Sequence, residues 1–442
     1  MSTKNTEEGL KRVIGVPGLT LTIISGVIGA GIFVLPAIVS TALGAFGIFG
    51  YIFCSIMLAA IMLCYAEIGS SVTRSGGSYA YVEEAFGNFP GYVVNWLYFF
   101  GWGVIGSAAL LNILADSLAA MFPSFADPLI RGILFFILTG FMILINIVGA
   151  KQTVGIVKTI TIVKLLPLIG IIIFGFSYVR SSNLHWEHLP SLGTFSNTLL
   201  ILFFAFAGFE TSLGASGEIK DPKRTVPLSI ILGGLVVLVI YMLLQTVVQG
   251  VLGPQLALFK DAPLAAVAEK IIGPLGATIL LVCTAVSSFG NVTLDLLCTP
   301  RSLFAGANDG TFPKFLGKVH PKFSTPYLAV ITYGTLIFIF SISGGFKQLA
   351  ILASATILIV YLAVILATMK LRTKNIEADK KTFKAPGGWI TPLIGVIAIV
   401  WLLSSLSKWE ILSTVLFILI VCIIYFVTKW IRPKIKPSAL LK

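Results

Sequence analysis

Charge is scarce in this chain. Only 11% of its 442 residues are Asp, Glu, Lys or Arg, against 57% apolar, where soluble globular chains carry about 25% charged residues. So little charge could not cover so much apolar surface in water, which excludes an ordinary soluble domain and makes lipid the implied solvent. Acids are the scarcer sign, 18 against 31 bases. Histidine is scarcer still, and His185, His188 and His320 all fall in expected loops, so no histidine relay is available inside a membrane. The five cysteines, Cys54, Cys64, Cys283, Cys298 and Cys422, lie in apolar runs without metal-ligand spacing or a disulfide framework, and read as small buried hydrophobes. The chain has no H-E-x-x-H, no G-x-x-x-x-G-K-[ST], no Cys/His cluster and no G-x-S-x-G in a suitable context. That argues against a metalloenzyme, a nucleotide-driven pump and a serine hydrolase, and leaves no catalytic residue, bound metal or cofactor to expect. The polar start, Met1 to Arg12, leads into an apolar run without an A-x-A site, so the first helix is expected to be retained.

Long apolar runs are what the chain has instead. A spanning helix needs roughly 20 mostly apolar residues, and backbone groups in lipid must pair within their own segment. The runs are too continuous for the alternation of a membrane β-barrel. They predict an all-α polytopic membrane protein of 12 transmembrane helices, near 13–37, 43–66, 92–121, 130–148, 156–178, 197–216, 227–250, 274–304, 326–342, 348–369, 391–406 and 410–431. No soluble domain is visible, and the longest polar connection runs from about Lys370 to Gly388.

The formal charge of +13 is a matter of topology rather than of nucleic acid. With a cytoplasmic N-terminus and alternating sides, 24 of the 31 basic residues fall in cytoplasmic segments and six outside, with Lys164 inside a helix. This is the bias of the positive-inside rule. It implies contact with anionic lipid, no nucleic-acid partner, and both termini in the cytoplasm. Trp96 and Trp186 read as interfacial anchors.

Two spans carry interruptions. The first contains Ser25-Gly26-Val27-Ile28-Gly29-Ala30-Gly31-Ile32-Phe33, the sixth Phe204-Ala205-Phe206-Ala207-Gly208-Phe209-Glu210-Thr211. Glycine clusters weaken a helix, and unwound backbone survives in a bilayer only where protein or a water-filled cavity pairs it. Spans one and six are equivalent positions if spans 1–5 and 6–10 are repeats, and matching interruptions in two halves point to a transporter binding site. Close packing through small residues is the structural alternative. A half-helix that restarts offers free N–H groups and a positive dipole end to a carboxylate. One that stops offers carbonyls to an ammonium. An amino acid carries both groups on one carbon.

These residues resemble the amino acid–polyamine–organocation superfamily. The resemblance rests on Gly29-Ala30-Gly31-Ile32-Phe33 with Leu35-Pro36-Ala37, Gly76-Gly77-Ser78-Tyr79-Ala80-Tyr81, Ala207-Gly208-Phe209-Glu210, Asp221-Pro222-Lys223-Arg224-Thr225-Val226-Pro227, and Asn308-Asp309-Gly310 with Phe312-Pro313. It covers nearly the whole chain in order. It implies a single transporter domain over 1–442 with a LeuT-type fold: one five-helix repeat over 13–178, its inverted partner over 197–369, and two extra helices over 391–431. It also implies alternating access across the cytoplasmic membrane, as a monomer or homodimer. Carried over by motif, the substrate carboxylate sits on the backbone of Ala30 and Gly31, with Gly29 allowing the turn. The ammonium sits on carbonyls near Ile28, Phe204 and Ala207, beside Gly208. Phe204 stands where the family's arginine–agmatine exchanger has a gating tryptophan.

Ionisable groups inside a membrane are costly and suggest function. Lys164 lies about eight residues into span five, roughly 12 Å at ~1.5 Å per residue, far for a lysine to snorkel. It aligns with the fifth-helix lysine of sodium-independent members, whose ammonium takes the place of a sodium ion. Protonated, it would bridge spans one and eight; neutral, it would release them. Ser287, Asn291 and Asp295 are spaced i, i+4, i+8 on one face of span eight. Ser287 and Asn291 resemble positions facing the sodium-like site, and Asp295 falls at a substrate-side position. Asp295 suits a cationic or polar side chain or a proton, or is part of a polar stripe against another helix. Glu210 either tunes protonation or holds the broken helix together. Asp116 is expected near the outer end and solvated, and Glu67 is expected to pair with Arg74. Proton-coupled symport of amino acids, sodium-independent, and amino acid or amine exchange are both open on this reading.

Overall fold

The computed structural model describes residues 14–73, 76–148, 150–186, 188–308, 312–373 and 382–431, together with Arg12. Every regular element among them is helical, and the one β-bridge is isolated, between Ile14 and Ile219. The helices are α1 Val16–Val27, α2 Leu35–Leu43, α3 Gly47–Ser71, α4 Ser78–Phe86, α5 Asn88–Trp96, α6 Ile105–Met121, α7 Pro128–Val148 and α8 Ala150–Gly175. They continue as α9 Leu192–Phe206, α10 Pro222–Leu252, α11 Pro263–Ile272, α12 Pro274–Asn308, α13 Tyr327–Ser341, α14 Phe346–Thr373, α15 Ile390–Leu403 and α16 Lys408–Ile431.

The local rules for starting a helix are visible. Proline stands in the first turn of α1, α2, α10 and α11, where its missing N–H costs nothing. Asp127 caps α7 by accepting from the amides of Leu129 and Ile130, and Ser191 caps α9 by accepting from Thr194 N. Leu97–Val104, between α5 and α6, is wound as a π-helix, which the sequence did not announce.

Among the described residues, eight helical stretches are long and apolar enough to cross a membrane. Four shorter apolar helices, Val16–Val27, Ile162–Tyr178, Tyr327–Ser341 and Ile390–Leu403, stand at the places expected for spans one, five, nine and eleven. Span one is short because it ends at its glycine cluster and restarts as α2. Burial grades the helices from centre to rim. In the apolar stretch that contains α9, 72% is buried, against 11% for α16. Helix α1 packs against α10 and the turn 209–218, α12 runs along α6 and α8, and α9 lies against α2, α3 and α14.

Glu67 pairs with Arg372, while Arg74, the partner expected for it, lies outside the described residues. The fork is bidentate, Nε to Oε1 at 2.6 Å and Nη2 to Oε2 at 2.5 Å. The same carboxylate accepts Ala385 N at 2.7 Å, and Arg372 donates to Gly388 O at 2.6 Å. One ion pair thus ties the ends of α3 and α14 to the approach to α15. Asp116 is paired rather than freely solvated, with Arg131 Nη1 at 2.6 Å. The Trp96 ring packs among Tyr92, Phe99 and Phe312 with its indole nitrogen buried, whereas Trp186 is exposed against Phe46 and Phe49.

Because the Glu67–Arg372 pair is mostly buried and holds backbone groups besides, removing one partner strands the other. Arg372→Ala is expected to lower stability by about 2 kcal/mol, read as a fall in the thermal midpoint of detergent-solubilised protein. An unchanged midpoint would show that the clamp contributes nothing.

Candidate substrate site

Both interrupted spans are broken in the structure. Helix α1 stops at Val27; Ile28 leaves helical geometry at ψ 79°, and Gly29 N turns back onto Val27 O at 2.7 Å. A single 3₁₀ turn, Gly31–Phe33, leads to α2, which Pro36 starts afresh. Helix α9 stops at Phe206, Ala207 is extended, Gly208 takes φ +117°, and a 3₁₀ run covers Phe209–Glu218. The breaks meet. A Cβ on Gly208 would lie 2.5 Å from Gly26 O, and one on Gly26 would lie 2.8 Å from Gly208 O. Backbone presses on backbone, so neither position has room for a side chain, and Gly208 needs its conformational freedom as well.

Two tyrosines and one acid hold the unwound segments. The Tyr241 hydroxyl reaches both Val27 O (3.0 Å) and Ala205 O (2.8 Å), one carbonyl from each break. Glu210 Oε2 accepts Gly208 N at 3.0 Å and Tyr361 OH at 2.5 Å. Of the two expected roles for Glu210, this geometry is the structural one. The neighbouring backbone is left free. Among the described residues, no acceptor takes the amides of Ala30 and Gly31, and no donor reaches the carbonyls of Ile28, Phe204 and Ala207. Unpaired backbone of this kind has to face a ligand or water.

Of these residues Gly31, Phe204 and Ala207 line a cavity of about 180 Å³. Of the expected substrate residues, Gly29, Gly31, Phe204, Ala207, Gly208 and Asp295 line it, as does Asn291. Ile28 and Ala30 stand behind that wall, fully buried, and Lys164, Glu210 and Ser287 are not in the lining. Phe204 is part of the lining, its ring 5.5 Å from Trp102 and 5.7 Å from Phe346. Ile14, ahead of α1, Thr22, midway along it, and Ser212 line the cavity as well.

Residues 14–404 match the family model for amino acid permeases. The chain belongs to the amino acid permease family. This permease is 28% identical over 423 residues to the serine/threonine exchanger SteT of Bacillus subtilis, an alignment that covers 94% of the chain and 95% of SteT. It is 27% identical over 439 residues to the branched-chain amino acid permease BcaP of the same organism, covering 95% and 93%. It is also 28% identical over 339 residues to the mouse large neutral amino acids transporter small subunit 2, covering 73% of the chain and 63% of that protein. The protein is an amino acid transporter, not an enzyme.

Within the permease, Lys164 does not snorkel. Its side chain is 1% exposed, and Nζ donates to Ser25 O on α1 at 2.9 Å and to Asn291 Oδ1 on α12 at 3.2 Å. One side chain from α8 thus joins the helix that breaks to the helix that carries the polar stripe. Ser287 sits on that stripe, fully buried, but its hydroxyl has no partner among the described residues, so the structure does not bring it into the lysine's contacts. Asp295 accepts from Ser107 Oγ at 2.8 Å. Cys298, expected to be a buried hydrophobe, is partly exposed and lines the cavity.

Sequence reading missed Tyr241, Tyr361, Trp102 and Ser107. The tyrosines and Ser107 act on groups tens to hundreds of residues away, and nothing local marks them. Trp102 had a faint signal, its place between Gly101 and Gly103. Those glycines let the π-helical segment lie against Thr356 and Tyr333, where a Cβ would come to 2.5 and 2.7 Å.

Proposed function

We propose that the protein carries amino acids across the cytoplasmic membrane by alternating access, sodium-independently, as a proton-coupled symporter. The observation that carries this reading is the cavity walled by two helix breaks with free amides on one and free carbonyls on the other. Such a wall suits an α-carboxylate and an α-ammonium without a charged side chain. The amides of Ala30 and Gly31 take the carboxylate, the carbonyls of Ile28, Phe204 and Ala207 take the ammonium, and Phe204 covers the substrate. The Lys164 bridge supports sodium independence, because an ammonium and a sodium ion between the same helices would repel. In this scheme the protonated lysine holds α1 to α12 and its neutral form lets them part. The two helix breaks at matching places support an inverted repeat of the LeuT type over 13–178 and 197–369, with residues 391–431 as the two additional helices. Both termini then face the cytoplasm, anionic lipid meets the basic side, and the transporting unit is a monomer or homodimer.

A second reading, obligatory exchange of amino acids or amines, is favoured by the similarity to an exchanger over nearly the whole chain. Uptake into proteoliposomes separates the two. Symport predicts accumulation in empty vesicles under an inward proton gradient, abolished by a protonophore. Uptake only after preloading with amino acid would overturn symport and leave exchange.

A further inference from the structure

The cavity has a wall that the backbone chemistry does not use. It is built where α6 and the π-helical turn before it run along α12. Trp102, Gly106 and Leu110 come from the first, Asp295 and Cys298 from the second, and all five line the cavity. Asp295 and Cys298 are three residues apart and so share a face of α12. Gly106 leaves the floor open, since even a Cβ there would meet nothing closer than 3.8 Å, from the Phe204 ring. Ser107 fixes the acid by donating to Oδ2. Its other oxygen, Oδ1, accepts from no described donor, and among the described residues no Lys or Arg forms an ion pair with it.

We infer that Asp295, positioned by Ser107, selects substrates by side chain, favouring amino acids whose side chain carries a hydrogen-bond donor, hydroxyl or ammonium, over aliphatic ones of the same shape. This rests on the reading that the cavity binds the amino acid. An aliphatic side chain would leave the free oxygen of the acid without a partner. Filling the cavity expels water from the free carboxyl oxygen, and an apolar group offers nothing in return. A donor replaces the lost water. Sites built around a polar partner reject the analogue that lacks it far more strongly than apolar pockets reject an extra group. The discrimination is thus repulsive as much as attractive, and it needs no change in how the α-carboxylate and α-ammonium are held.

Cys298 provides the readout. In purified full-length protein, its modification by a small methanethiosulfonate is followed by peptide mass spectrometry, with Cys422, on α16, as the internal reference. Two pairs matched in shape are compared as protecting ligands: serine with 2-aminobutyrate, and lysine with 2-aminoheptanoate. In each pair the donor is expected to protect at a concentration at least about tenfold lower. Asp295→Leu is expected to erase both preferences. Asp295→Asn, which keeps an acceptor beside Ser107 and guards against misfolding of the leucine variant, is expected to lose the lysine preference and keep that for serine. Equal protection within the pairs, or preferences unchanged in Asp295→Asn and Asp295→Leu, would overturn the selectivity while leaving the amino acid site in place. Protection of Cys298 by no amino acid would overturn the placement of the substrate itself.

Discussion

Replacing Gly208 by alanine is expected to impair uptake severely and to lower the thermal midpoint of the purified protein further than alanine at Gly26 or Gly132. Two costs fall on one atom. At φ +117° an L-residue is strained by about 1–3 kcal/mol, and its Cβ would stand 2.5 Å from Gly26 O, a distance that real Cβ atoms do not adopt. The obstacle is backbone, which cannot rotate away as a side chain can, so overpacking adds about 1–3 kcal/mol more. Relief would require the α1 and α9 breaks to separate, and the carbonyls that Tyr241 bridges would separate with them. Gly26→Ala meets the same contact at 2.8 Å without the strained φ, so a smaller loss is expected there. Gly132→Ala, on α7, meets nothing within 4 Å and should leave both midpoint and uptake unchanged. The order Gly208, Gly26, Gly132 in severity tests the contact between the breaks; equal behaviour of the Gly208 and Gly132 variants would refute it.

The same contact explains what could be read in the chain and what could not. A glycine cluster inside an apolar run is a local signal, so both breaks were legible without knowing that they touch. An intramembrane lysine is equally local, because its cost is set by the apolar residues around it, and Lys164 stood out for that reason. Partners are another matter. Glu67 binds Arg372, 305 positions away. Packing of α14 against α3 sets that pair, and no local signal announces it. Tyr241 and Tyr361 were invisible for a similar reason. A tyrosine in an apolar helix looks like a core residue until the fold shows an unpaired carbonyl or carboxylate opposite its hydroxyl. The π-helical turn at Leu97–Val104 is subtler still, since no residue type dictates it, but it turns Trp102 toward Phe204.

On the function proposed above, the cavity wall divides its work between two kinds of group. Backbone at the breaks would face what every α-amino acid shares, and side chains on α6 and α12 what distinguishes one from another. Mutation can retune the second without touching the first, because no substitution removes a backbone carbonyl and only proline removes an amide N–H. A family that carries different amino acids on one architecture is the expected consequence. The relatives named above differ in that way, with serine and threonine, branched-chain and large neutral amino acids in their names.

Lys164 belongs to neither wall, and the largest functional loss is expected there. Lys164→Ala would leave Ser25 O and Asn291 Oδ1 facing a void where an ammonium stood. Each stranded acceptor costs about 1–3 kcal/mol, and the tie between α1 and α12 is lost with it. Since α1 carries the amides of Ala30 and Gly31 just beyond its break, loosening that tie displaces the carboxylate site. Substrate affinity is expected to fall by about 10- to 100-fold, equivalent to ~1.4–2.8 kcal/mol, and net uptake to be lost. Lys164→Gln separates the tie from the charge. Its side-chain amide can still donate, but it cannot exchange a proton in the bilayer. Homologous exchange between preloaded and external substrate is therefore expected to persist in the glutamine variant, while accumulation driven by a proton gradient disappears. Gradient-driven accumulation by Lys164→Gln would remove the lysine from the coupling step and reduce it to a brace between α1 and α12. Wild-type affinity in Lys164→Ala would remove even that role.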